Sequence, residues 1–116
     1  MLEFKNFKIL EGDELSLTSI KFSFIDNELS DESMEYVYEK LNEYEIYLEY
    51  DCKGEFNIES KKEIIISMII TFPSRKVPEN KRELDEFVNR YIMDFCEYYN
   101  KINNLENLIN NDLIAT

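Results

Sequence analysis

At 116 residues the chain is long enough for one hydrophobic core and short for two, because domains cluster near about 100–150 residues. Its 25 Asp and Glu against 13 Lys and Arg give a formal charge of -12, which disfavours nucleic acid and acidic membranes as direct partners. A 44% hydrophobic and 14% aromatic content, with only two Gly and two Pro, argues against disorder, and the absence of His removes the commonest general base and metal ligand.

In chain order, Leu2, Phe4, Phe7 and Ile9 make an imperfectly alternating strand that stops at the turn-forming cluster Glu11-Gly12-Asp13-Glu14. Leu15 and Leu17 alternate in one phase and Ile20, Phe22 and Phe24 in the other, so a shared core face requires a β-bulge at Thr18-Ser19. Ser30 fits the N-cap of a helix over about 31–43, with Leu29 and Met34 spaced as a hydrophobic staple and Asp31 and Glu32 suiting the helix dipole. Met34, Val37, Tyr38 and Leu41 form its apolar stripe.

From Tyr44 the period changes to two. Tyr44, Ile46, Leu48, Tyr50, Cys52, Phe56 and Ile58 share one parity, as one strand bent at Gly54 or as two. Glu59-Ser60-Lys61-Lys62 turns the chain into Ile64, Ile66, Met68, Ile70 and Phe72. The apolar odd neighbours Ile65 and Ile69 predict a central strand covered on both faces. After Pro73 and Pro78, Asn80 with Glu83 predicts a capping box. The helix behind it carries Leu84, Val88, Tyr91, Phe95, Tyr98, Ile102, Leu105 and Ile109 at steps of four and three, with Asn103-Asn104 as a point of weakness. This stripe serves sheet packing first and, over Ile102 to Ile109, a homodimer through the C-terminal helix second. The expected fold is a single acidic α+β domain over 1–116, in the order ββαββα. An antiparallel sheet of about four strands carries one short helix and a long C-terminal helix packed on it.

The charge is segregated. Residues 26–59 hold 12 carboxylates and two lysines, whereas residues 61–90 hold seven basic and five acidic side chains. On the polar parity of the long strand stand Glu45, Tyr47, Glu49, Asp51, Glu55 and Glu59, with same-face neighbours about 6.8 Å apart, close to two base steps of about 3.4 Å. The preceding helix adds Glu32, Glu35, Glu39 and Glu43 along one polar side, where like charges repel until a cationic partner relieves them. Tyr36 and Tyr47 offer aromatic contact area on or beside this surface. The same row also reads as a solvated sheet face that maintains solubility, or as a source of metal ligands. Lys61, Lys62, Arg75, Lys76, Lys81 and Arg82 gather into a cationic patch only if the strand between them does not hold them about 30 Å apart.

Catalytic chemistry is poorly supplied. The segment Asp26 to Glu32 lacks the order of a calcium loop, and Gly12 and Gly54 are too distant to frame a phosphate loop. Cys52 and Cys96 show no CxxC spacing and read as free thiols of a reducing compartment, and the acidic neighbours of Cys52 would raise its pKa. The first residues show no basic-then-apolar leader pattern, and no apolar run approaches the roughly 18 residues of a membrane span. A cytoplasmic, non-catalytic protein without cofactor or metal is expected. Its acidic surface would dock onto a basic groove of a nucleic-acid-handling protein and block it, as a nucleic-acid mimic. In size and charge the chain is similar to phage inhibitors of host defence, such as anti-CRISPR proteins, and to the immunity proteins of nuclease toxins. That likeness of general character implies an inhibitor and carries over no site residues. The alternative is a structural or adaptor protein that self-associates through its last helix.

Overall fold

The computed structural model describes residues 2–10, 15–43 and 52–115, and for 105–115 the backbone alone. The elements are β1 (Glu3–Leu10), β2 (Leu17–Ile25), α1 (Asp31–Glu43), β3 (Lys53–Ser60), β4 (Ile64–Pro73) and α2 (Lys81–Ala115), with a 3-10 turn at Ser74–Lys76. This is the expected ββαββα order. All neighbours in the four-stranded sheet are antiparallel, and the strand order is β1-β2-β4-β3.

Register explains how the sequence reaches one core face. Ile20, Phe22 and Phe24 of β2 lie opposite Ile70, Met68 and Ile66 of β4, and Phe56 of β3 lies opposite Met68. These side chains form the core together with Val37 and Leu41 of α1 and Val88, Phe95, Tyr99 and Ile102 of α2. Both helices therefore cover the same sheet face. Phe95 sits at the centre, 4.5 Å from the Phe24 ring and 5.7 Å from that of Phe56. Burial of such aromatic side chains dominates the driving force for the fold.

Several local expectations are corrected. The bulge lies in β1, between Phe4 and Asn6, and not at Thr18-Ser19, where β2 and β4 pair without interruption. One extra residue brings Phe4 and Phe7, three apart in sequence, opposite Phe24 and Phe22 on one face, which resolves the imperfect alternation of β1. Leu15 precedes β2 and is 98% exposed, and Leu17 falls on the outer face. Gly54 neither bends β3 nor adopts positive φ; it pairs regularly with Ile70. Residues 44–51, the first part of the long alternating segment, lie outside the described residues. Strand β4 is central as expected, but α1 and α2 share its even face, and Ile65, Ile69 and Thr71 on its odd face are half-buried.

Ser30 and Asn80 both act as N-caps, Asn80 through the cap half of the expected box. Ser30 Oγ accepts from the Ser33 amide at 3.2 Å, and Asn80 Oδ1 accepts from the amides of Arg82 at 2.9 Å and Glu83 at 3.3 Å. Helix α2 then runs without a break through Asn103-Asn104. Its inner positions Leu84, Val88, Tyr91, Phe95, Tyr99 and Ile102 average 3.6 residues per turn, the spacing of a straight helix on a sheet, and Tyr99 replaces Tyr98 as the fully buried ring. Tyr98 instead donates from its hydroxyl to the Lys40 carbonyl at 3.0 Å, tying α2 to α1. At the far end of the sheet, the Ser74 amide and hydroxyl donate to the carbonyls of Ser16 and Leu15, at 2.8 and 3.1 Å.

Candidate functional site

The acidic surface begins with the amphipathicity of α1. Burying Val37 and Leu41 against the sheet forces the opposite side of the helix outward, and Glu32, Glu35, Glu39 and Glu43 are all exposed on it. Successive carboxylates are about 4.5–6 Å apart along the axis, so the row extends about 16 Å. Among the described residues Glu32, Glu35 and Glu39 have no ion-pair partner. Glu43 accepts from Lys40 Nζ at 3.1 Å, and the same ammonium lies 5.7 Å from the centre of the Tyr36 ring. The hydrogen bond to Glu43 and then its charge raise the Lys40 pKa, so this lysine stays cationic on the flank of the ridge.

Strand β3 contributes a second group. Lys53, Glu55, Asn57 and Glu59 alternate on its exposed parity, with Lys61 Nζ 3.5 Å and Asn57 Nδ2 3.4 Å from Glu59. This parity faces away from the helices. The structure thus does not join Glu55 and Glu59 to the α1 row in one stripe: the helical row projects on the covered side of the sheet and the strand row on the open side. Glu45, Tyr47, Glu49 and Asp51, the middle of the expected row, lie outside the described residues.

The aromatic contribution changes identity. Tyr36 packs against the core and its hydroxyl is buried, with no hydrogen-bond partner among the described residues, whereas Tyr38, read as part of the apolar stripe, is 43% exposed. The cationic side chains do not gather, because β4 places Lys61 and Lys62 at one end of the sheet and Arg75, Lys76, Lys81 and Arg82 at the other. Exposed pairs such as Arg82 with Glu86 at 3.7 Å and Lys101 with Glu97 at 3.6 Å are local to α2.

Sequence reasoning missed a buried polar link. Asp26, at the end of β2, is 2% exposed; its Oδ2 accepts from the Tyr99 hydroxyl at 2.7 Å and its Oδ1 from the Glu28 amide at 3.0 Å. The Asx turn so formed redirects the chain from β2 towards α1 and sets the position from which the acidic row starts. An Asp between a strand and a capped helix signals the turn, but the tyrosine that completes it is 73 residues away.

Other chemistry is sparse. Cys52 and Cys96 form no disulfide and are half-buried, and among the described residues no group of three or more His, Cys, Asp or Glu is placed to hold a metal ion. No helix among the described residues is long and apolar enough to cross a membrane. Comparisons with known protein families, characterised proteins and solved structures return no match.

Proposed function

We propose that this protein is a stoichiometric, non-catalytic inhibitor whose acidic ridge docks onto the basic groove of a nucleic-acid-handling protein. The observation that carries this reading is the exposed row Glu32, Glu35, Glu39 and Glu43, held on a helix whose other side is locked into the core. A rigid row of fixed anions meets the electrostatic requirement of a groove built for phosphates, and its like-charge repulsion falls when lysine and arginine side chains interleave with it. Tyr38 at its flank supplies contact area at low entropic cost. Glu45, Glu49 and Asp51 belong to the same proposal on sequence grounds, with Tyr47, whereas Glu55 and Glu59 project from the opposite side of the sheet and stand apart from the ridge.

Affinity capture from lysate of the source cell, with the wild type and with a variant carrying Glu32→Gln, Glu35→Gln, Glu39→Gln and Glu43→Gln, tests the reading. Gln preserves helix propensity while removing the charge. The expected result is a dominant basic nucleic-acid-binding protein retained by the wild type and lost by the variant. The same proteins retained by both would refute the ridge as the docking surface.

A further inference from the structure

The helix layer covers β1 incompletely. Helix α2 runs along β2 in the same direction, with the Tyr91 ring 6.4 Å from that of Phe22 and the Phe95 ring 4.5 Å from that of Phe24, and α1 lies against β3 on the far flank. On β1, Phe4, Phe7 and Ile9 stand opposite Phe24, Phe22 and Ile20 and share their face. Those three partners are fully buried, yet Phe4 stays 38% and Ile9 44% exposed. Between β1 and α2 an open groove of about 390 Å³ remains, floored by Phe4, Phe7, Val88 and Ile92 and bordered by Asp85 and Glu86. Apolar surface left open in this way marks an interaction site.

We propose that this groove receives an amphipathic helix of another protein, one whose apolar stripe is flanked by lysine or arginine. The site is separate from the acidic ridge, which stands on α1 at the other flank of α2. Shape selects a helix. The floor extends about 10 Å along both walls, three residues of β1 and seven of α2, which matches apolar side chains at i, i+3 or i+4, and i+7. An added strand would need the hydrogen-bonding edge of β1, which the bulge between Phe4 and Asn6 interrupts. A helix satisfies its own backbone and asks only for the apolar floor.

Charge selects a cationic helix. Among the described residues the lining carries two carboxylates and no basic side chain. Asp85 has no ion-pair partner among them, and Glu86 meets Arg82 at 3.7 Å in an exposed pair that an incoming cation can share. The lysines of β1 do not neutralise this border: Lys8 stands beside Lys21 on the opposite face, and Lys5 Nζ is 3.9 Å from Glu63. A partner with lysine or arginine beside its apolar stripe therefore gains both contacts at once. A second copy would bring a further charge of -12 and the same two carboxylates to the contact, and an anionic lipid surface is repelled for the same reason.

Backbone-amide NMR titration of the full chain tests the groove, with a peptide of about 18 residues that carries leucine on one helical face and lysine on the other. Saturable binding is expected, with shifts concentrated in residues 4–9 and 85–92. Asp85→Lys, at an exposed position, should weaken this binding about fivefold and should bind the same peptide with glutamate in place of lysine about fivefold better than the wild type does. The variant with Glu32, Glu35, Glu39 and Glu43 all replaced by Gln should bind the lysine peptide within about twofold of the wild type, so failure of the ridge reading and failure of the groove are told apart. Shifts centred on α1, equal affinity for a peptide with leucine and lysine scrambled, an Asp85→Lys variant that binds both peptides as the wild type does, or no saturable binding would each overturn the proposal. The amide spectra of the variants show at the same time that they are folded.

Discussion

Tyr99 and Asp26 meet at 2.7 Å beneath α2, and both are almost fully buried. Removing the phenolic donor takes one hydrogen bond from a buried acceptor, a loss that costs about 1–3 kcal/mol. Tyr99→Phe is therefore expected to lower unfolding stability in urea by about that amount, with an unchanged circular dichroism spectrum. Cys96 gives a pH-dependent counterpart. Burial pushes its thiol pKa above the ordinary 9.0, so the unfolded chain loses this proton first as pH rises, and stability falls as pH passes from the unfolded towards the folded value. In a Cys52→Ala background, Cys96 should react with iodoacetamide more slowly than free cysteine at mildly alkaline pH. Exposed acidic and capping residues were legible at this scale because they obey local spacing, as Ser30 and Asn80 do. The Asp26–Tyr99 link was not, because no periodicity connects residues 73 apart.

Each element forms where its hydrophobic period is unambiguous, and departs from expectation where two periods compete. In β1 the three-residue step from Phe4 to Phe7 requires an irregularity, which the bulge supplies, whereas the mismatch between Leu17 and Ile20 requires none because Leu17 faces outward. Deleting Lys5 converts β1 to regular alternation, so that variant should keep most of its thermal stability. Deleting Ser23 flips one half of β2 and should abolish cooperative melting. In α2, steps of four and three fit both a 3.5 and a 3.6 period until Tyr98, where sheet packing selects Tyr99. The Asn80 cap starts this helix with two side-chain hydrogen bonds. Asn80→Ala is expected to cost about 1 kcal/mol in urea unfolding, and Asn80→Gly only a few tenths.

For the whole molecule, the order ββαββα followed from the sequence because each strand or helix carried its own turn or cap signal. The distribution of charge in space did not follow. Counting carboxylates on strand parity and on helix spacing gave two rows. Only the packing of α1 on the face opposite the exposed parity of β3 separates them into a helical ridge and a strand row. That separation leaves a strongly anionic ridge on the helix side, the surface proposed for a cationic partner, and side chains of both signs on the open side of the sheet. Docking through the ridge should weaken steeply as salt rises, because the contributing charges are exposed and about a Debye length of 10 Å at 0.1 M salt screens them.

Competition for the groove is the most direct test of the central claim. A labelled nucleic-acid duplex is bound to the captured basic protein and titrated with this protein. Displacement is predicted to be complete at one protein per groove, competitive with duplex concentration, and lost when Glu32, Glu35, Glu39 and Glu43 are all replaced by Gln. A ternary complex in which duplex and protein are held together, or equal displacement by the neutralised variant, would contradict the account.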